Sequence, residues 1–529
     1  MRDTQYPGRS VVTSTEAMIA TSQPMATQVG LQVLKDGGNA LDAAIAACAT
    51  LCVTEPASTG IGGDCFILYH EAKTGKLHGL NGSGRAPGRA SLEEYKRLGH
   101  QTMPERGIHS LSVPGAIRAW ETALQRFGTM GLDQLLQPAI RYGEEGYAIS
   151  PIVGANWKSA EPLLSKHPDS VHNLLVNGKA PLVGTRHRQP NLAKSMRKIA
   201  KGGAKVFYEG EIAQDIVKWS HENGGLFEME DFANHSSDWV DPISTDYRGL
   251  RMFEIPPNGQ GITALMTLNI LEQTQLGTMK HLSPDYIHTF TEAFRLATAE
   301  RNKWVSDPEF NDLPVQRMLS KDFAREQWQH IDPAIAAQHP IPSHLSAGKD
   351  TIYLSVVDKD RNCCSFINSL FAGFGSGLVA GATGITLQNR GAGFNLEEGH
   401  LNCIAPNKRP MHTIIPSMVY RGDEPVLCFG VMGGQYQAMG HSYVFTNWLD
   451  FGMDLQEAVD APRFLPMYGN LQVERPIPQA TREALKQRGH NVVDADNALG
   501  GAQVICIDGE AGVLSAASEP RKDGFAMGY

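Results

Sequence analysis

Apolar residues between Met25 and Thr54 recur at helical spacing through GGNALDAAIAACAT and are interrupted once, at Gly37 and Gly38. The pattern predicts two helices meeting at a glycine cap, and the abundance of alanine predicts that they pack closely. After Glu55 and Pro56, STGIGGDCFILYH reads as a glycine-rich turn feeding an apolar strand that ends near Tyr69, with a hairpin at Ala72 to Lys76. Helical spacing returns from Gly115 to about Gly146 and from Tyr286 to Trp304, whereas Tyr247 to Ile255 reads as one strand.

His330 to Lys349 is rich in Pro, His, Ser and Gly and reads as a loop. Behind it the texture changes. TIYLSVVDKDRNCCSFINSLF alternates and is rich in β-branched and aromatic residues, so it predicts two paired strands around a polar turn at Lys359 to Asn362. MHTIIPSMVY and EPVLCFGVMGG repeat that pattern. At 529 residues the chain exceeds the usual size of one hydrophobic core, which favours two domains or one large layered fold. A sheet-rich last third behind a mainly helical first part predicts an α+β fold whose layers share one core.

Hydrophobic residues make up 42% and charged residues 19%, the balance of an ordinary globular chain. Lys and Arg total 47 against 56 Asp and Glu, a net charge of -9, and no basic run is present, so nucleic acid is not an expected partner. The start, MRDTQYPGRSVVTSTEAM, lacks a signal-like apolar core and no later stretch reaches the ~18 apolar residues of a membrane span. A cytoplasmic protein without membrane contact is expected. The eight cysteines sit mostly in apolar runs and read as buried thiols, and without a His/Cys cluster at ligand spacing neither metal nor cofactor is expected.

One residue stands where chemistry is plausible: Thr351, at the point where the polar loop becomes a strand. A threonine hydroxyl is a poor nucleophile until a base takes its proton, and a free α-amine on the same residue can be that base. Cleavage of the Asp350-Thr351 peptide would create the amine, and the strand would hold the hydroxyl in place. Taken alone the position says little, because threonines that open strands are commonly just good β-formers.

The company that Thr351 keeps is more specific. GGNALDAAIAA, EPASTGIGGDCFILY, SVPGAIRAW, PPNGQGITAL, DTIYLSVVDKD, FGSGLVAG, NKRPMHTIIPSM and GVMGGQYQ follow one another in an order that resembles the gamma-glutamyltranspeptidases and related acylases and small-amide hydrolases. The resemblance implies a four-layer αββα sandwich of the N-terminal nucleophile type, built jointly by a large fragment, 1-350, and a small fragment, 351-529. It implies self-cleavage before Thr351, with Ser369 orienting the nucleophile and the backbone N-H groups of Gly433 and Gly434 forming an oxyanion hole. By itself VMGGQ also reads as a tight turn after a strand.

Departures from the family pattern bear on the substrate. The residue after the nucleophile is Ile352 rather than threonine, and the asparagine and aspartate that bind the glutamyl amino group fall at Phe371 and Gly393. Neither offers a side-chain acceptor to an ammonium. The serine pair after K-R-P falls at His412 and Thr413, and the carboxylate-binding arginine at Ser83, two positions before Arg85. A smaller, drier acyl pocket is expected, with Arg390 or Arg85 as a carboxylate partner unless each is a solvated surface arginine. His412 reads equally as an orienting group or as a packed core histidine.

Within the family, DTIYLSVVD, SLFAGFGSG and RPMHTIIP look most like the branch containing oxamate amidohydrolase, which implies a small carboxylate-bearing amide as substrate. Gamma-glutamyl compounds and glutaryl- or cephalosporin-type amides are the alternatives. A heterodimer of the two cleaved fragments is expected, and units of this size often pair further into a dimer of heterodimers. A non-catalytic scaffold would have no reason to keep Thr351, Ser369, Gly433 and Gly434, and no G-x-S-x-G elbow supports a serine hydrolase.

Overall fold

The computed structural model describes residues 8-337 and 351-529. Asp350 and most of the loop expected from His330 to Lys349 lie outside the described residues. The alanine-rich segment forms the helices Pro24–Lys35 and Ala40–Thr54. Asn39 starts the second: its side chain accepts from the N-H groups of Leu41 and Asp42, and Asp42 accepts from Asn39 N-H at 2.9 Å, a reciprocal cap. Every residue of Ala40–Thr54 is buried, as befits a helix apolar on all sides.

Two strand expectations change. Tyr247 to Ile255 is the second half of a hairpin, Ile243–Tyr247 and Leu250–Glu254, closed at Arg248 and Gly249 with φ of 48° and 83°. Burial alternates on both sides of this two-residue turn, so the apolar pattern runs through it without a visible break. In MHTIIPSMVY only Ser417–Arg421 is a strand, because Pro416 has no N-H to give to a ladder.

Two seven-stranded sheets organise the described residues, and each is antiparallel throughout. The first runs Val12–Ser14, Val513–Ser518, Gly501–Asp508, Glu424–Met432, Ser417–Arg421, Leu250–Glu254, Ile243–Tyr247. The second runs Phe525–Gly528, Met18–Thr21, Ile352–Val357, Cys363–Ser369, Asp64–Glu71, Lys76–Gly82, Asp238–Val240. Each sheet therefore mixes strands from before and after position 351.

Period-two alternation divides the side chains of these strands between separate apolar clusters. Tyr353, Ile367, Phe66 and Leu68 of the second sheet meet Met418, Cys428, Met432 and Ile505 of the first. Ile352, Leu354 and Val356 point the other way and pack with Leu41, Ile45 and other helix residues. Val419, Phe429 and Val431 likewise pack with Leu265, Phe290 and Tyr443. A polar seam ties the sheets together: the Tyr353 and Ser365 hydroxyls lie 2.6 Å apart, and Ser355 Oγ donates to Cys428 O at 3.0 Å. Tyr353 fits there because Gly430 faces it, and a Cβ at Gly430 would overlap its ring.

All eight cysteines are free, six of them buried. Among the described residues no helix is long and apolar enough to cross a membrane. The core is also sensitive to acid. Burial holds His70, His187 and His412 at a pKa of about 4, and His235 and His490 at about 3. The unfolded chain takes up these protons near pH 6.5, so between the two values it binds more protons than the folded state. Stability from neutral burial is complete above that pH and is lost as pH falls toward 4, by at most about 1.4 kcal/mol per unit for each histidine. The urea midpoint is expected to drop steeply from pH 7 to pH 5, and a flat profile would contradict this burial.

Candidate active site

The hairpin register places the first residues of the site. Ile352 pairs with Asn368 and Ser369 with Asp64, so one further step puts Thr351 opposite Ser369. Thr351, Ser369 and Asp64 thus form a row across three strand ends, and opposite residues on antiparallel strands project to the same face. That face is the one turned toward the other sheet, shared with Tyr353, Ile367 and Phe66. All three row residues are buried.

Thr351 Oγ1 and Ser369 Oγ lie 3.0 Å apart. Ser369 Oγ also accepts from Phe371 N-H at 2.8 Å and from Arg390 Nη2 at 3.2 Å. With its lone pairs engaged in this way, Ser369 can give its own hydrogen to Thr351 and fix the direction of the threonine hydroxyl. Phe371 has φ +84°, unusual for a bulky residue, and its ring carries the Arg390 guanidinium 4.3 Å from the centroid.

Arg390 is fully buried, so it is no surface arginine. Nη1 donates to Thr413 Oγ1 at 2.8 Å, and among the described residues no carboxylate lies within ion-pair range and Nε has no partner. Burial lowers its pKa to about 9, against the attraction of Asp64. A guanidinium in this state remains charged at neutral pH.

Asp64 is the anion at the end of the row. Oδ1 accepts from Gly84 N-H and Gly115 N-H, both at 3.0 Å, and from Gln388 Nε2 at 2.8 Å. Oδ2 meets His412 Nε2 at 2.9 Å. Burial opposes ionisation, but the bond to His412, its charge and that of Arg390 hold the carboxyl below its usual pKa. His412 Nδ1 accepts from Ile414 N-H at 3.3 Å, which leaves the hydrogen on Nε2 for Asp64. Both of its nitrogens are therefore engaged, the arrangement of a packed core histidine that reaches the site through Asp64.

The opposite sheet supplies the far wall. Ser355 bonds Cys428 and Tyr353 faces Gly430, so the same progression brings the Thr351 end of its strand to Met432 and Gly433. Gly433 has φ +118°, and a Cβ there would strike Gly500, so the turn needs glycine. Gly433 and Gly434 lead directly into helix Tyr436–Leu449, whose N-terminus is a favourable place for negative charge. Gln260 Nε2 donates to Gly434 O at 3.0 Å and to Thr413 O at 2.8 Å, joining this turn to the Arg390 side.

Arg85 sits differently. Its Nη2 bonds both carboxylate oxygens of Glu309, at 2.8 and 2.9 Å, and lies 3.8 Å from Asp238. Among the described residues, His288, Glu292 and His490 bring three possible metal ligands within 4.8 Å. The imidazoles bond one another at 2.8 Å and Glu292 accepts from Arg295 Nη1 at 3.0 Å and from Ala337 N-H at 3.2 Å, while His490 Nδ1 has no partner among the described residues.

Sequence reasoning missed Asp64, Gln388, Gln260 and Arg301, the last of which lies behind Gln260. A buried-acid signal existed in GIGGDCF, a lone carboxylate between glycines and an apolar strand. Replacing it tests its importance: Asp64→Asn puts an amide against at least one of four donors and leaves Arg390 without a nearby anion. A loss of about 3 kcal/mol is expected from urea denaturation, the scale for breaking a buried charge arrangement.

The gamma-glutamyltranspeptidase family model matches residues 26-529. A glutathione hydrolase-like proenzyme of Bacillus subtilis is 38% identical over 98% of this chain and 99% of its own length. An oxamate amidohydrolase proenzyme of Klebsiella pneumoniae is 32% identical over 98% and 99%. The crystal structure of a cephalosporin acylase from Bacillus halodurans superposes with a TM-score of 0.92 at 40% identity, covering 99% of this chain and 98% of that one. The chain belongs to the gamma-glutamyltranspeptidase family.

Proposed function

We propose that this protein is a self-cleaving amidohydrolase in which Thr351 is the nucleophile of both maturation and turnover. In maturation, Thr351 Oγ attacks the carbonyl carbon of Asp350, and the N-to-O acyl shift leaves an ester. Water hydrolyses that ester, giving the Asp350 carboxylate and the free α-amine of Thr351. The products are fragments 1-350 and 351-529, which stay together as a heterodimer because both sheets contain strands from each. A four-layer αββα stacking belongs to this reading and is supported by apolar clusters between the sheets and on their outer sides.

In turnover, the Thr351 amine takes the hydroxyl proton as Oγ attacks the substrate carbonyl. The Gly433 and Gly434 N-H groups receive the oxyanion, the C-N bond breaks, and the amine or ammonia leaves with the proton. Water then attacks the acyl-enzyme ester, releasing the acid and restoring the hydroxyl. Ser369 orients the nucleophile. No cofactor enters these steps.

The observation that carries the substrate class is Arg390: a fully buried guanidinium bonded to Ser369 and Thr413, with no carboxylate in ion-pair range among the described residues. A buried charge without a mate is costly, and a substrate carboxylate would offset that cost. Phe371 favours a short acyl group beside it, whereas Ile352, expected to narrow the pocket, points to the helix-packed face because side chains alternate along its strand. Oxamate, an amide joined directly to a carboxylate, fits this description, and its products would be oxalate and ammonia. Arg85, held by Glu309, is the less suitable partner. Relatives named as glutathione hydrolase and cephalosporin acylase favour a second reading, with a longer gamma-glutamyl or glutaryl-type acyl group.

Two measurements test this. Thr351→Ala is expected to remain one full-length chain on a denaturing gel and to release no ammonia, whereas Ser369→Ala is expected to slow turnover at least tenfold. Normal cleavage of Thr351→Ala would remove the assignment. Ammonia or amine release from oxamate, gamma-glutamyl amides, glutaryl amides and simple amino-acid amides ranks the acyl groups. A preference for gamma-glutamyl compounds would overturn the small-pocket reading.

A further inference from the structure

A second buried arginine, Arg301, reaches the Gly433-Gly434 turn through Gln260 and Gln435. Arg301 belongs to helix Pro284–Trp304 and is almost wholly buried. Its Nη1 donates to Gln260 Oε1 and to Gln435 Oε1, both at 2.7 Å, while Nε and Nη2 donate to Asn302 Oδ1 at 3.0 and 2.8 Å. Among the described residues each of these partners is a neutral amide oxygen and no carboxylate pairs with it. Burial lowers its pKa only to about 10, so the charge persists at neutral pH.

The geometry points to Arg301 and Gln260 as positioning residues that hold the Gly433-Gly434 turn in the orientation needed to receive the oxyanion. With its amide oxygen occupied by Arg301, Gln260 can present its NH2 group only toward Thr413 O and Gly434 O. One side chain thereby locks the glycine turn to the segment carrying Thr413, which holds Arg390. Arg301 fixes the next residue as well, through Gln435. The turn's two positive-φ glycines are tied to the following helix by Tyr436 N-H to Gly433 O at 3.0 Å and Gln437 N-H to Gly434 O at 3.2 Å, and Gln260 adds a restraint from outside that segment, which helps to keep a fixed direction. The uncompensated charge of Arg301 also adds to the positive end of helix Tyr436–Leu449, and preorganised positive potential acts most strongly where negative charge develops.

Neither residue is placed to touch substrate, so their effect is read in kcat rather than KM. The inference rests on the oxyanion role proposed for Gly433 and Gly434, and the experiment separates the two. Gln260→Glu keeps the size of the side chain and gives Arg301 a carboxylate partner, but an ionised carboxylate accepts only and cannot donate to Thr413 O or Gly434 O. The expected result is a processed two-fragment protein with an unchanged or raised melting temperature. Its kcat on the best amide is lowered at least tenfold and its KM stays within about twofold. Arg301→Lys is expected to lose kcat in the same way, and Gln260→Asn is expected to recover none of it because the shorter amide cannot span the gap.

Unchanged kcat in processed Gln260→Glu, or a loss confined to KM, overturns the inference while leaving the nucleophile intact. A wild-type protein that neither cleaves itself nor hydrolyses amides instead defeats the reading of the site on which it rests. Should Gln260→Glu fail to fold, the kcat and KM of processed Arg301→Lys decide the matter by the same criteria.

Discussion

Thr351, Ser369 and Asp64 lie side by side because strands Ile352–Val357, Cys363–Ser369 and Asp64–Glu71 share one antiparallel register. Side chains on a strand alternate between faces, so a slip of one residue would turn the Thr351 hydroxyl toward the helix-packed side and bring Ile352 into its place. Burial on both faces prevents that slip. Tyr353 and Phe66 are needed between the sheets, while Leu354 and Val356 are needed against the helices. Thr351 is thus positioned by the hydrophobic pattern of its own strand before any hydrogen bond is considered.

That register delivers the row to a face where charge is expensive, and the site is organised around this expense. Asp64 is stabilised by three N-H donors and His412, and Arg390 has two hydroxyls, an aromatic face and the attraction of Asp64. Arg301 has only amide oxygens. Two incompletely neutralised cations, Arg390 bonded to Ser369 and Arg301 bonded to Gln260 and Gln435, favour negative charge in their neighbourhood. They also explain why Gln260 matters: a neutral side chain that donates and accepts can join these two regions without adding another buried charge.

The family pattern and this chain differ beside Arg390. Neither Gly393 nor Phe371 carries a side-chain carboxylate or amide, and the Phe371 ring supports the Arg390 guanidinium. Arg85 is committed to Glu309, near Arg409 and Asp238, which also contact one another. The placement of Thr351 depends on strand register, whereas Arg390 and Phe371 stand outside the strands, so the same fold can hold the first fixed while the others vary.

The sequence by itself determined the helix pair around Asn39, the hairpin that begins at Thr351 and the family motifs, because these rest on local periodicity, turn chemistry and residue order. Placement of Ser369 opposite Thr351 was nearly legible too, since a hairpin with a short polar turn has few registers. The Ile243–Tyr247 and Leu250–Glu254 hairpin was hidden because burial alternates through its turn. Asp64, Gln260 and Arg301 were also not legible as site residues. Asp64 comes beside Ser369 only when strands distant in sequence become neighbours, and Gln260 and Arg301 meet the Gly433-Gly434 turn only when helix Pro284–Trp304 packs near it. Only the tertiary structure decided that Arg390 is buried beside Ser369 while Arg85 is ion-paired. An arginine's sequence context does not reveal whether a carboxylate will fold against it, and that pairing determines whether its charge is left for a substrate.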